Sequence, residues 1–500
     1  MRPILPTLLV DGYKTGHPAQ YEQDTILVSS NLTPRGSRVP GVTGVVPFGP
    51  QYWVREYLID QFNENFFWQQ RDPMLRLYKR YMDNYLGPNA VPVKYIGALH
   101  ELGYMPLHVK ALPEGSICPM RVPMLTIRNT VPEAKEFGWV TNSVETNMSN
   151  VLWLPTTSAT TALEFRKEFQ RWAVKTGAPM DFVKWQGHDF SYRGLPGTEA
   201  AMLSGGGHLL SFTGTDTVPA LWFLEEYYGA DVEKELVGGS VPATEHSVMC
   251  MGRQECERDT IKRLITEVYP NGIVSIVCDT WDFWGVITNI LPSLKAEIMA
   301  RNGKVVVRPD SGDPVKIVVG DADADRDCVR KGAWECLYDA FGGAMNGEGY
   351  RDLDSHVGLI YGDAIDRARQ TAILSGLAAK GFSTTPVLGI GSFSYQYVTR
   401  DTYGLAVKAT YGETRSRGPQ PIFKKPATDD GVKNSAKGLL MVDVGPDGRY
   451  RLNEDVDWAT EATGALQTIF KDGERENFQT LAQIRARIDA HVAAELAVMA

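Results

Sequence analysis

Five hundred residues are more than one ordinary hydrophobic core organises, so two domains are the expected arrangement. An apolar fraction of 43% and a charged fraction of 22% are those of a soluble globular chain. A formal net charge of −9, with no long Lys/Arg run, argues against a general nucleic-acid binder; a few arginines converging in one cleft can still bind phosphate.

Near the N-terminus the apolar run Leu8-Leu9-Val10 is stopped by Asp11, too short for a membrane span or a signal-peptide core. Helical spacing follows over 52–69 and 73–85. Residues 108–115 and 124–128 read as two strands joined by a turn, and 131–172 as mostly helix. From 181 to 392 a pattern recurs in which a short apolar run ends in Gly, Asp or Ser and a helix usually follows. The runs end near His188-Asp189, Thr213–Asp216, Ser240, Asp279, Arg308-Pro309-Asp310, Gly362-Asp363 and Gly389–Gly391. Helices are expected over 218–228, 248–268, 281–300 and 365–380. Strands alternating with helices imply parallel strands and a closed or nearly closed α/β barrel, with its site at the strand C-termini. From about 399 the chain returns to short strands and ends in an amphipathic helix over 481–499.

The expected fold is therefore α/β: a (β/α) barrel over 181–395, inserted in a second α/β domain with a mixed sheet built from 1–180 and 396–500. No repeat of fixed period is visible. The acidic stretch Asp321–Asp327 begins like a calcium loop, but Arg326 and Gly332 stand where that loop needs Gly and Glu, so it reads as a solvated turn. The six cysteines form no C-x-x-C pair and no zinc spacing, which fits a reducing, cytoplasmic setting.

His246 follows a Gly-Gly turn and precedes a long amphipathic stretch; Asp279 ends one apolar run and Arg308-Pro309-Asp310-Ser311-Gly312 another. A histidine, carboxylates and an arginine at successive strand ends point to phosphate chemistry. Each has a plainer reading on its residues alone. A lone histidine is more often structural, an arginine more often a surface ion pair, and Phe190 is as readily a core aromatic. Thr215-Asp216-Thr217 ahead of a helix reads as an N-cap.

Several segments together resemble the nicotinate/nicotinamide phosphoribosyltransferase family, on its nicotinamide-using side, over nearly the full length. They are Asp11–His17, Val109–Gly115, His188–Gly194, Gly214–Val218, Ser240–His246, Ser275–Asp279, Arg308–Gly312 and Gly362-Asp363, in shared order and spacing. The resemblance implies a barrel of phosphoribosyltransferase type and a homodimer with shared sites. It implies that nicotinamide and phosphoribosyl pyrophosphate combine to nicotinamide mononucleotide and pyrophosphate, as part of NAD salvage. No membrane or nucleic-acid partner is implied.

Residue by residue, the resemblance assigns Phe190 and Tyr13 of the partner subunit to the two faces of the pyridine ring. It assigns Asp216 to the amide N–H, where a carboxylate would also repel nicotinic acid. Ser275 and Arg308 match positions near the amide; Asp11 and Ser240 lie in matching segments. Arg193, Arg308 and Arg400 are phosphate clamps. Asp310 and Asp363 hold ribose hydroxyls, with Gly362 allowing close approach. His246 is the histidine phosphorylated by ATP, with Asp279 orienting its imidazole, so His246, Asp279 and Asp310 form the catalytic set. Magnesium is expected on phosphates, water and one or two carboxylates, with no dedicated cage.

The match departs most at the phosphate loop. The family has a glycine run where this chain reads Gly389-Ile390-Gly391-Ser392-Phe393, so Gly391 and Ser392 are the candidate phosphate contacts. The C-terminal basic loop also differs, with Lys424, Lys425, Lys433 and Lys437 as candidates for contacts in trans. The rival readings are a nicotinate phosphoribosyltransferase and a weakly catalytic pyridine-nucleotide-binding dimer. Asp216 argues against the first and His246 against the second.

Overall fold

The computed structural model describes residues 4–131, 137–424 and 435–499. The chain divides into two compact units: one of Met1–Thr160, Glu226–Gly229 and Thr399–His491, the other of Thr161–Glu225, Ala230–Val398 and Val492–Ala500.

The second unit is built on six parallel strands: β1 (Gly187–Asp189), β2 (Gly214–Thr215), β3 (Asn271–Val277), β4 (Asn302–Arg308), β5 (Val357–Tyr361) and β6 (Val387–Ile390). Their order is β2-β1-β6-β5-β4-β3. The edge strands are bridged by one extended segment. Gly239 pairs with Gly214, and Ala243 pairs with Ser275. The Thr215 N–H donates to Gly239 O at 3.0 Å and the Ser275 N–H to Pro242 O at 2.8 Å. The run expected to end at Ser240 thus closes the barrel as an irregular staple. Pro242 has no N–H for a ladder, which confines it to such an edge.

Buried valine and isoleucine dominate the strands, as in parallel sheets covered on both faces: Val274, Ile276, Val305, Val307, Val357 and Ile390 share one core with Ile287, Leu337 and Ile373 of the outer helices. Pro219–Tyr228 and Arg367–Ala379 realise two expected helices. The expected 248–268 helix is instead His246–Gly252 and Glu257–Arg263, folded back at Arg253, whose φ is 67°. Thr260 packs so close that a Cβ on Gly252 would meet its Oγ1 at 2.2 Å. The 281–300 stretch likewise breaks into short helical pieces between Phe283 and Met299.

In the first unit Thr25–Pro34 lies in a seven-stranded sheet between Leu405–Thr414 and Leu125–Asn129. The sheet is antiparallel throughout, not mixed, because its strands are joined without parallel crossovers. The helical stretch expected over 52–69 starts at Pro50. Buried Glu114 accepts there from the Gly49 and Gln51 N–H groups at 3.0 and 2.7 Å.

The unit boundary falls at 160–161, inside the helix Glu145–Thr176, rather than at the expected 180. Ala162, Phe165, Phe169 and Ala173 on its C-terminal half belong to the barrel core. Of the helical stretch expected over 131–172, residues 132–136 lie outside the described residues.

Candidate active site

The barrel gathers polar side chains at the C-terminal ends of its strands. At the end of β2, Asp216 accepts from His188 Nε2 at 2.8 Å and from Ser240 Oγ at 2.8 Å. Both donors reach the same oxygen, Oδ1. The second oxygen accepts from no described residue. Because Oδ1 accepts, His188 carries its proton on Nε2. The N-cap reading of Asp216 gives way here: the Thr217 N–H is taken by Thr215 Oγ1 at 2.9 Å, and the Asp216 carboxylate faces His188 and Ser240. Partial burial pulls the Asp216 pKa upward, but donation from His188 and Ser240 and the charge of Arg308 outweigh it and hold it below its ordinary value.

Phe190 is half-buried, with its ring 4.8 Å from that of His188 at 49°. Two glycines make room for it. A Cβ on Gly389 would meet the ring at 2.3 Å, and one on Gly362 would meet it at 3.2 Å and Asp310 Oδ1 at 2.9 Å. A core aromatic would be enclosed by side chains; this ring rests on bare backbone and keeps partial exposure. Below it, Asp189 is fully buried and accepts from the Ser191 N–H and Oγ at 2.9 and 2.6 Å.

At the end of β3 the Ser275 backbone is held on both sides, by Pro242 and Thr244. Its hydroxyl is buried and has no partner among the described residues. Asp279 Oδ2 accepts from the Asp310 N–H at 2.9 Å and Ser311 Oγ at 2.6 Å. Asp279 Oδ1 is buried without a hydrogen bond to any described residue and lies 3.8 Å from His246 Nε2, close but beyond hydrogen-bond length. His246 opens its helix, is half exposed, and has Nδ1 3.1 Å from Thr280 Oγ1. Glu245 turns away to accept from Ser247 Oγ.

After β4, Arg308 pairs with Asp310 at 3.3 Å and donates to Thr244 O. It is therefore oriented by the protein, with Nη1 donating to no described residue. Burial lifts the Asp310 carboxyl above its ordinary value against the pull of Arg308, and Asp279 adds to the rise. Tyr361 ends β5 and donates to the carbonyls of Ser311 and Gly312 at 3.0 and 2.9 Å, which fixes the loop carrying Asp310. Asp363 and Arg193 are exposed in the same unit. Gly391, buried, and Ser392, half-buried, open the turn after β6.

The remaining expected residues lie in the first unit. Tyr13 is 64% exposed, edge-on to His17 at 5.4 Å. Asp11 accepts from Thr146 Oγ1 at 2.8 Å. Arg400 is exposed, 4.0 Å from Asp401. Lys437 is paired with Asp455 at 2.7 Å, Lys424 is exposed, and Lys425 and Lys433 lie outside the described residues. Sequence reasoning missed His188, Thr280, Ser311 and Tyr361. His188 had a usable signal, since it ends an apolar run two residues before Phe190.

The model of the nicotinate phosphoribosyltransferase (NAPRTase) family matches residues 185–480, more than half of the sequence. The chain belongs to this family. Similar proteins are named nicotinamide phosphoribosyltransferase in Acinetobacter baylyi, at 49% identity over 97% of both chains, and in Xanthomonas campestris pv. campestris, at 34% identity over 78% of this chain and 80% of that one. Among solved structures, nicotinate-nucleotide pyrophosphorylase from Pyrococcus furiosus superposes with TM-score 0.58 at 14% identity, over 97% of this chain and 94% of that one. Human nicotinic acid phosphoribosyltransferase gives 0.51 at 16% identity, over 97% and 93%. No helix among the described residues is long and apolar enough to cross a membrane.

Proposed function

We propose that the chain is a nicotinamide phosphoribosyltransferase of NAD salvage. The pyridine nitrogen attacks C1 of the ribose in phosphoribosyl pyrophosphate. The N–C bond forms as the C–O bond to pyrophosphate breaks, giving nicotinamide mononucleotide and pyrophosphate. The observation that carries this reading is the Asp216 carboxylate. One oxygen is committed to His188 and Ser240, and the other remains to accept from a carboxamide N–H. A carboxylate held in this way repels a second carboxylate, so nicotinic acid is disfavoured.

Phe190 supplies one face of the ring. The exposed Tyr13 of the partner subunit supplies the other, which requires a homodimer. Offset stacking of this kind contributes roughly 0.5–1.5 kcal/mol beyond area burial. Ser275 Oγ, partnerless and buried, supplies a further polar contact to the amide. Asp310 and Asp363 hold the ribose hydroxyls. Preorganised groups that need not reorient at the transition state account for much of the expected acceleration.

ATP coupling runs through His246. Its neutral imidazole attacks the γ-phosphorus, the bond to ADP breaks, and Asp279 stabilises the cationic ring that results. No group of three or more His, Cys, Asp or Glu among the described residues could hold a metal alone. The orphaned Asp279 Oδ1 and the Asp310 carboxylate suit magnesium shared with substrate phosphates. When bound, the ion would neutralise phosphate charge. The six free thiols support a cytoplasmic location.

The test is product formation from phosphoribosyl pyrophosphate and magnesium, with each base, with and without ATP. Turnover of nicotinamide alone, stimulated by ATP, is expected. Turnover of nicotinic acid instead would move the chain to the nicotinate-using side of the family. No turnover of either base would favour a binding role.

A further inference from the structure

The loops after β5 and β6 lie side by side at the barrel mouth, and both are bound to one cation. Arg369 Nη1 donates to Ala364 O at 2.5 Å, in the loop that follows Asp363. Its guanidinium carbon lies 5.1 Å from the centre of the Phe393 ring, in the turn after β6. Ser394 Oγ ties the same two loops by donating to Ile365 O at 2.9 Å. Phe393 packs edge-on against Tyr397 at 5.1 Å, and these rings are 42% and 73% exposed. The half-buried guanidinium thus lies between two loops that it ties together, next to the exposed Phe393 ring. Arg369 forms no ion pair with a described carboxylate. Asp366 spends its own carboxylate on the Arg369 backbone N–H, at 2.8 Å.

The β6 turn bonds several of its own N–H groups, so a cation beside it matters for an anion. A phosphate cradle needs free backbone N–H groups. Those of Ser394 and Tyr395 both donate to Gly391 O, at 3.2 and 2.9 Å, and that of Tyr397 donates to Ser392 O at 3.0 Å. These three donors are spent within the turn, and Asp363 and Asp366 add negative charge beside it. Arg308, at the end of β4, spends part of its charge on Asp310 and also donates to Thr244 O. A phosphoryl group arriving here meets Arg369 with one of its five N–H donors engaged and the rest unspent.

We infer that Arg369, oriented by Phe393, binds a phosphoryl group of the ribose-phosphate substrate at the β5–β6 side of the mouth. The inference rests on the reading of the barrel mouth as a phosphoribosyltransferase site. A guanidinium stacked on an aromatic ring and pinned by one carbonyl is preorganised for a forked contact to phosphate.

The test is Arg369→Met, which keeps the aliphatic stem, beside Arg369→Lys. Arg369→Met should raise KM for phosphoribosyl pyrophosphate by about ten- to a hundredfold, the loss expected for charge-assisted hydrogen bonds. KM for nicotinamide should stay within about twofold, and Arg369→Lys should recover part of the loss because it keeps charge but not the fork. Binding of ribose 5-phosphate and of pyrophosphate to the full-length protein, measured by calorimetry, separates the two phosphate sources: whichever weakens in Arg369→Met is the group held. An unchanged KM with both ligands bound as in the wild type overturns the inference. So does an equal loss for nicotinamide with a lowered melting temperature, which marks a structural role. If the wild type turns over neither base but Arg369→Met still loses ribose 5-phosphate or pyrophosphate, the proposed function fails and this inference stands.

Discussion

Replacing Asp216 by Asn exchanges one oxygen for an NH2 group at nearly constant shape, so hydrogen-bond geometry fixes what it does to base choice. The two donors that reach Oδ1 belong to His188 and Ser240. An asparagine there turns its carbonyl oxygen toward them while His188 keeps its proton on Nε2, because turning its NH2 that way would set donor against donor at His188. Its NH2 then occupies the position that the free carboxylate oxygen held. That position changes from acceptor to donor: it no longer suits the amide N–H of nicotinamide and now suits the carboxylate of nicotinic acid. Two like charges 4 Å apart repel by about 4 kcal/mol at an effective dielectric constant of 20. The Asp216 side chain is 48% exposed, so solvent reduces this to about 1–2 kcal/mol. Exchanging a good hydrogen bond for a poor one adds about 0.5–1.5 kcal/mol. A total near 2 kcal/mol corresponds to roughly a thirtyfold shift in the nicotinamide-to-nicotinate ratio of kcat/KM. The assay is that ratio for the wild type, Asp216→Asn, and Asp216→Asn combined with His188→Ala. The double variant frees the asparagine to turn and should recover part of the preference for nicotinamide. A ratio within threefold of wild type in an active Asp216→Asn protein would remove Asp216 from base recognition.

Other substitutions bear on separate parts of the site. His246→Ala should abolish ATP stimulation and leave slow uncoupled synthesis; persistence of ATP stimulation refutes the phosphohistidine. Ser275→Ala removes a buried hydroxyl that has no partner, so the melting temperature should hold or rise while KM for nicotinamide increases. A fall in both would show that the hydroxyl is structural. Glu257 is buried beside Asp282, and burial pushes its carboxyl up to about 7, with Asp282 adding to the rise. A raised carboxyl pKa means that the fold favours the protonated form. Its stabilising contribution is complete below about pH 4.5 and is lost as pH rises through about 7, for a total near 3 kcal/mol. Glu257→Gln should flatten that part of the stability profile, measured as melting temperature from pH 5 to 8.

The barrel strands β3 to β6 could be read from the sequence because each carries a short apolar run that ends near a Gly, Asp or Arg. Their burial on both faces leaves few polar interruptions, as in Val305-Val306-Val307 before Arg308. The strand Thr25–Pro34 escaped the same reading. Its middle, Ser29-Ser30-Asn31, is polar yet buried or half-buried, satisfied by distant partners such as Asn142 for Ser30. The 248–268 helix was misread because apolar spacing is kept across Arg253, where only the backbone dihedral reveals the turn. Among site residues, those with a distinctive charge at a strand end were legible. Those that act on another side chain, namely His188 on Asp216 and Tyr361 on the Ser311-Gly312 carbonyls, depend on contacts that spacing does not encode.

These supporting contacts explain how a half-open barrel mouth keeps its charges in place. Asp216, Asp279 and Arg308 would each lose side-chain entropy if ordered only when substrate arrived. Here one end of each is already held: Asp216 by His188 and Ser240, Asp279 by the Asp310 N–H and Ser311, Arg308 by Asp310 and Thr244. What remains uncommitted is the other end: the second oxygen of the half-exposed Asp216 and, both buried, Asp279 Oδ1 and the Ser275 hydroxyl. Leaving a buried polar atom without a partner costs about 1–3 kcal/mol in the free protein. That cost is relieved only when a ligand or a phosphorylated imidazole arrives, so part of the binding energy is prepared in the fold. The same division predicts where substitutions separate. Changes at the held ends should lower both stability and activity, whereas changes at the open ends should lower activity alone.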